Sequence, residues 1–191
     1  MGLLKSLSFY WKEIQLKRTR DSQRSKLYKA EQVLFDRFEL NNIDDVKKYV
    51  KTVTDSKYFQ KHFGVFVFTV KDGRGTSDAY SAGRKLNFPL WSRKKAIVLH
   101  EICHSIIDKK YLSVAPHGPQ FCKTYLLLVK HFLGKECYEE LKQSFKLNKV
   151  KFSIRKKNVS PNKPKRTMPV AAIEALRRYQ ESKKKGITNV G

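Results

Sequence analysis

Two histidines lie four residues apart, with a glutamate directly after the first: His100, Glu101 and His104, in the run H-E-I-C-H. An α-helix turns about 100° per residue, so residues four apart share one face. Two imidazoles on one face can bind a tetrahedral zinc ion, and a glutamate beside the metal can accept a proton from a bound water. The spacing therefore indicates a hydrolytic zinc site on a helix.

A third histidine, His117, follows His104 by thirteen positions. Catalytic zinc sites usually have three protein ligands and one open position, and His117 lies at a loop distance that suits the third ligand. If His117 is not a ligand, Glu136 is the first acidic residue to test. Cys103 lies inside the predicted helix, but its offset from His100 points it away from the ligand face, which predicts a small buried residue.

A purely structural pair of histidines is the alternative to a metal site. The segment that begins at Ser92 and contains both histidines predicts a helix, with Ser92 as its N-cap. Apolar residues cover most of its circumference, so the His-Glu-His group would be buried. Burial of unpaired polar groups costs roughly several kcal/mol, and a metal ion would pair them. The metal site is therefore the favoured interpretation.

These motifs resemble those of the SprT-like proteases, the family that includes the Spartan DNA–protein-crosslink protease. The resemblance lies in L-H-E-I-C-H at residues 99–104 and in H-G-P-Q-F-C at residues 117–122. The chain resembles a smaller group of metallohydrolases, from actinobacteria and their phages, still more closely. Residues 20–31 and 128–137 are similar to that group as well.

The resemblance covers roughly residues 20–150 and implies a small zincin-like fold of the minigluzincin type. It implies a zinc ion bound by His100, His104 and His117, with Glu101 as the general base. The loop between His104 and His117 is shorter than in Spartan. The resemblance carries no substrate to this chain.

The second informative feature is a net charge of +24 over 191 residues. Counting gives +5 in residues 1–26, +9 in 27–150 and +10 in 151–191, so the basic excess per residue is greatest at the two ends. Such a distribution favours polyanionic partners and predicts non-specific DNA contact through the basic termini. The alternative is a basic surface that serves only solubility.

The composition is that of a folded domain, with 40% hydrophobic and 12% aromatic residues. Three cysteines form no disulfide framework, and an odd number argues against a secreted disulfide scaffold. No apolar run approaches the roughly 18 residues of a membrane span, and no signal peptide is visible. These features predict a cytoplasmic protein. If the chain is encoded by a phage, the predicted location is the host cytoplasm or the virion.

The chain divides into three predicted regions. Residues 1–19 form a basic amphipathic segment, residues 20–155 the zincin-like metallohydrolase domain, and residues 156–191 a basic tail. The first segment places apolar residues at helical spacing between Leu3 and Ile14. Such a stripe either docks on a membrane or a protein partner, or packs on its own domain.

The predicted fold class is α+β, with a small antiparallel sheet packed on helices. The predicted helices cover residues 21–38, 42–50, 92–108, 119–133 and 135–147, and the predicted strands cover 64–70, 77–81, 85–88 and 150–154. An edge strand beside the zinc helix would hold an extended protein substrate by strand addition. Tyr80 or Arg84 is a candidate to stabilise an oxyanion, and Asp78 a candidate to orient a ligand imidazole.

The sequence thus predicts a zinc-dependent metallohydrolase, specifically a metallopeptidase that cleaves protein substrates with a zinc-activated water. Two alternatives stay open. One is a phage or nucleic-acid-associated structural or binding protein with a structural zinc site, and the other is hydrolysis of a non-peptide amide or ester. Glu101 favours an enzyme, because a structural site has no use for a base beside an open position.

Overall fold

The computed structural model describes residues 19–111 and 113–154. These residues form an α+β domain of six helices and one three-stranded sheet, which confirms the predicted fold class at that level. The helices are α1 (Arg24–Glu31), α2 (Ile43–Asp55), α3 (Lys57–Phe63), α4 (Lys95–Lys110), α5 (Pro119–Phe132) and α6 (Lys135–Leu147). The strands are β1 (Thr69–Asp72), β2 (Tyr80–Ala82) and β3 (Lys85–Phe88). Except for Thr19, the predicted terminal segments 1–19 and 156–191 lie outside the described residues.

The sheet is mixed, so the prediction of an antiparallel sheet is wrong. Its order is β1-β3-β2, with β2 antiparallel and β1 parallel to β3. The reason is the topology. β2 returns antiparallel to β1 but one strand further out, and the hairpin turn at Gly83 then brings β3 into the gap, where it must run in the direction of β1. Glycine suits this turn because its φ of +61° is a conformation that other residues rarely adopt.

Two of the predicted strands do not form as expected. Residues 64–68 do not join the sheet, and Val65 and Val67 are 70% and 68% exposed. Residues 150–154 are not a strand either. Instead, the side chain of Gln23 binds this segment, accepting from the Lys151 N–H at 2.9 Å and donating to the Lys151 carbonyl at 3.1 Å. A side-chain amide thus takes the place of a neighbouring strand.

Local signals in the sequence account well for α2. Asn42 caps the helix, because its side chain accepts from the backbone N–H groups of Asp44 and Asp45, each at 2.9 Å. Apolar side chains on one face are buried in the core. Ser56 ends the helix and caps α3 by accepting from the Phe59 N–H at 3.1 Å.

The central helix is α4, of whose sixteen residues eleven are buried. It begins at Lys95, and Ser92 is not its N-cap, because the Ser92 hydroxyl donates to the Pro89 carbonyl within a preceding 3₁₀ turn. Tyr125 of α5 donates to the Ala96 carbonyl at 3.2 Å and fixes α5 against α4. In the described part of the chain, no helix is both long and apolar enough to cross a membrane.

Two sets of hydrogen bonds attach the sheet to α4, one just before the helix begins and one within the helix. Arg93, buried just before the helix, donates to the Asp72 carboxylate at the end of β1, at 2.7 Å. Farther along the helix, the Ser105 hydroxyl donates to the Gly83 carbonyl at 2.9 Å and lies 2.7 Å from the hydroxyl of Ser81. The β2–β3 hairpin is thereby held beside the middle of α4, where the two histidines lie.

Candidate metal centre

The structure brings the three predicted histidines together. The Nε2 atom of His100 lies 3.1 Å from that of His104 and 3.3 Å from that of His117. One ligand atom from each residue lies within 4.8 Å of the other two. His100 and His117 are buried, and His104 is half-buried. The three imidazoles therefore lie close enough to bind one metal ion.

His117 is positioned by the start of α5. Gly118 is the N-cap and Pro119 the first residue of the helix, as predicted, and proline fits there because its missing N–H would have no partner in the helix. The Gly118 N–H donates to the Ala115 carbonyl at 2.8 Å and closes a turn just before the helix. The buried side chain of Gln23 donates to the His117 carbonyl at 2.6 Å. The loop is thus held from two sides.

Two carboxylates orient the imidazoles. Glu31 is the last residue of α1, and its carboxylate oxygens Oε1 and Oε2 lie 2.9 and 3.1 Å from Nδ1 of His100. Asp21 lies three residues before α1, and its Oδ2 atom lies 2.6 Å from Nδ1 of His117. The sequence did not single out either residue, and Asp78, the candidate for this role, lies in the loop between β1 and β2.

These hydrogen bonds fix the tautomers of the two rings. An ionised carboxylate can only accept, so Nδ1 of His100 and of His117 carries the proton. The Nε2 atoms of the two rings then face one another, 3.3 Å apart. In a neutral ring this atom carries the lone pair that binds a metal ion. The donor set therefore fits a metal ion, and the paired carboxylates are the usual partners of metal-binding histidines.

The pKa values of the three rings are shifted in different directions. Burial, together with the charges of His100 and His117, lowers the pKa of His104 to about 2. Burial also lowers the pKa of His117, against the effect of its hydrogen bond to Asp21. For His100 burial acts downward, but the charge and hydrogen bond of Glu31 raise the pKa overall. His104 and His117 are thus held neutral, the form that binds metal.

Glu101 lies in a cleft of about 450 Å³ beside the histidines. His104 and His117 line the same cleft. Burial raises the pKa of the Glu101 carboxyl, and the charge of His100 acts in the opposite direction. A carboxylate of raised pKa is a better proton acceptor than an ordinary glutamate. The arrangement can therefore accept a proton from a molecule held beside the metal position.

The edge strand β2 forms one wall of the cleft, which is lined by Tyr80 and Ser81 of the strand and by Ala79 directly before it. Because the sheet order is β1-β3-β2, the outer edge of β2 carries no further strand of the described chain. Of the two oxyanion candidates, Tyr80 lines the cleft and Arg84 does not. The wall beside the metal position thus offers backbone hydrogen-bonding groups to a bound molecule.

Two other residues lie apart from the histidines. Cys103 is fully buried, with its thiol 3.5 Å from the Phe121 carbonyl, which confirms the expectation of a small buried residue. Glu136 lies exposed in the first turn of α6 and does not belong to the histidine cluster.

Fold and site together define an α+β protein with a buried three-histidine site that can hold a metal ion. No known family model matches the chain, and it shows no significant similarity to a curated protein or a solved structure. The resemblance to SprT-like and actinobacterial metallohydrolases therefore stays a prediction.

Glu31→Gln is expected to weaken metal binding by about 10–100-fold, the usual effect of removing a partner that orients a ligand histidine. The amide keeps the size of the side chain but loses the charge that favours the Nδ1 proton of His100. Competition with a chromophoric chelator measures the affinity. Glu136→Gln is the matched control, because it removes the same charge from an exposed position. Equal affinities of the two variants would contradict the role of Glu31.

Proposed function

We propose that this chain is a zinc-dependent metallohydrolase with a zincin-like fold, specifically a metallopeptidase. The observation that carries the proposal is the position of Glu101, which lines an open cleft beside His104 and His117. A site that served only to hold the fold together would need four closed ligands and no base.

The donor set favours zinc among the metals. In a tetrahedral zinc site with Zn–N distances near 2.0–2.1 Å, two nitrogens lie about 3.3 Å apart. The Nε2 separations of 3.1 and 3.3 Å are close to that value. Imidazole suits zinc, copper, iron and nickel, and three imidazoles with one open position are typical of catalytic zinc. His100, His104 and His117 would hold the ion.

The proposed reaction assigns one role to Glu101. Zinc, when bound, lowers the pKa of a water towards about 7 and polarises the scissile carbonyl. Glu101 accepts a proton from the attacking water, whose oxygen bonds to the carbonyl carbon while the π electron pair moves onto the carbonyl oxygen. Glu101 then delivers the proton to the amide nitrogen. The C–N bond breaks with its electron pair on nitrogen, which gives an acid and an amine.

The shape of the cleft supports a protein substrate. An extended peptide can pair with the outer edge of β2, which would lay its backbone along the wall that Tyr80 and Ser81 line. A small ester or amide would make no use of this edge. Peptide hydrolysis is therefore preferred to the other hydrolytic chemistry that the site could perform.

Two measurements test the proposal together. Metal analysis of the purified protein should find one zinc per chain, and proteomic identification of cleavage sites should find products with wild type that are missing with Glu101→Gln. Zinc bound without any cleavage would overturn the peptidase. It would favour the alternative, a phage or nucleic-acid-associated structural or binding protein with a structural zinc.

We also propose that the basic termini contact nucleic acid, consistent with the net charge of +24. Phosphate contacts supply affinity but carry no sequence information, so binding should be non-specific. An enzyme held on DNA would meet protein substrates there. The cytoplasmic or virion location stays a prediction.

Deleting residues 156–191, which hold ten basic residues and two glutamates, is expected to make the salt dependence of DNA binding shallower. The log–log slope should change by about 0.9 for each phosphate that the shortened chain no longer neutralises. Fluorescence anisotropy at several salt concentrations measures this slope, with zinc content as the control for folding.

Tight binding that persists at high salt would contradict the electrostatic account. No binding at low salt would leave solubility as the role of the charge and make residues 1–19 the first candidate for docking a membrane or protein.

A further inference from the structure

A tyrosine and an arginine of α1 line the same cleft as Glu101. The ring of Tyr28 lies 5.2 Å from the ring of His117 and 5.9 Å from that of His100, measured between centroids. Its hydroxyl accepts a hydrogen bond from Nε of Arg24 at 3.3 Å. Tyr28 is 39% exposed, so part of the side chain faces open space beside the metal ligands. The phenol therefore belongs to a side chain that lines the cleft and contacts two of the ligand imidazoles.

The bond from Arg24 determines what the phenol can do. A guanidinium only donates, so the Tyr28 oxygen is the acceptor in this pair and keeps its own proton for another partner. The guanidinium also lies 5.3 Å from the centre of the Tyr28 ring, which fixes the two side chains to each other one helical turn apart. The positive charge of Arg24 makes the Tyr28 hydroxyl a stronger donor.

We propose that Tyr28 stabilises the oxyanion formed during hydrolysis and that Arg24 positions it. The inference rests on the proposed metallopeptidase function and names the residue that the reaction still lacks. When the π electron pair of the carbonyl moves onto oxygen, the Tyr28 O–H donates a hydrogen bond to that oxygen. No proton is transferred, and the bond weakens again when the C–N bond breaks and the carbonyl reforms.

Tyr80 is the competing donor, since it also lines the cleft and is 45% exposed. It belongs to β2, the wall along which the peptide backbone would lie. In the described part of the chain, ring contacts join Tyr28 to two ligand imidazoles and join Tyr80 to none. A donor to the oxyanion must lie beside the metal ligands, which favours Tyr28 over Tyr80.

A binding experiment separates these residues without relying on turnover. The probe is a phosphinic tetra-alanine peptide, whose tetrahedral anionic phosphinate replaces the central amide and imitates the oxyanion. Calorimetry would measure its affinity for zinc-loaded wild type, Tyr28→Phe and Tyr80→Phe. We expect Tyr28→Phe to bind it about 10–100-fold more weakly, the effect of one hydrogen bond to a charged group, and the loss in Tyr80→Phe to be smaller. Zinc affinity should be the same in all three proteins, because Tyr28→Phe keeps its ring packed on the histidines and Tyr80 has no ring contact with them.

Arg24 is tested by a double-mutant cycle with the same probe. Arg24→Gln should weaken phosphinate binding, Arg24→Lys should restore part of it, and Arg24→Gln in the Tyr28→Phe background should add little, because the arginine acts through the phenol. Full additivity would overturn the positioning role of Arg24. Equal phosphinate affinity of wild type and Tyr28→Phe would overturn the role of Tyr28 without contradicting the proposed peptidase function. If zinc-loaded wild type does not bind the phosphinate at all, the proposed peptidase function fails together with this inference.

Discussion

Glu101→Gln is expected to reduce peptide hydrolysis by about 10²–10⁴-fold, the usual effect of removing a general base. The amide has nearly the size of the carboxylate, so the buried position stays filled, but it cannot accept the proton of the attacking water. Metal affinity should change little, since Glu101 is not among the three residues whose ligand atoms converge. The expected signature is therefore loss of turnover in a protein that remains folded and metal-loaded.

The measurement is a rate on the best peptide found by proteomics, at saturating zinc, with metal content and melting temperature determined on the same samples. Glu136→Gln provides the control, because it makes the same chemical change on an exposed part of α6. If Glu101→Gln turns over substrate as fast as the control, the proposed mechanism is wrong.

The residues that meet at the metal position were predictable because their signals are local. Helical periodicity places His100 and His104 on one face whatever surrounds the helix. The Gly118-Pro119 pair predicts where α5 begins, and this places His117 at the end of a short loop. The bounds of α6 and β3 were also predicted as the structure has them, since each has a turn residue directly before it or after it.

The carboxylates that orient the histidines could not be found in this way. Asp21 and His117 are 96 positions apart, and Glu31 and His100 are 69 positions apart. Which acid reaches which ring depends on how α1 packs against α4 and α5, and local spacing carries no information about that packing. Asp78 belongs to the predicted strand 77–81, but the structure places it in the loop before β2.

The remaining differences also arise where partners distant in sequence decide the structure. The predicted helix over residues 21–38 is shorter, because α1 ends at Glu31 and continues only as a 3₁₀ turn. Phe38, the last residue of the predicted helix, is 40% exposed and has a φ of +59°. Leu27, Ala30 and Leu34, which are at helical spacing, are fully buried. The apolar pattern thus located the core face of α1 but not the point at which the helix stops.

Zinc is expected to raise the melting temperature of the wild-type protein by about 8–16 °C. A ligand present at 1,000 times its Kd stabilises the folded state by about 4.1 kcal/mol, and 1 kcal/mol shifts the melting temperature of a protein of this size by roughly 2–4 °C. The physical source of the effect is local. A bound cation would pair the Nε2 atoms of His100 and His117, which lie 3.3 Å apart in buried surroundings.

His117→Ala should remove most of this increase, because it leaves two histidine ligands and a wider opening in the site. The matched control is His131→Ala, which removes an imidazole stacked on Tyr58 at 3.7 Å, outside the metal cluster. The melting temperature of metal-free His131→Ala should fall somewhat. Zinc should raise the melting temperature of this variant as much as it raises that of wild type. Scanning calorimetry with and without zinc, after treatment with a chelator, provides both values. Full zinc occupancy and an undiminished shift in His117→Ala would show that the third ligand lies elsewhere.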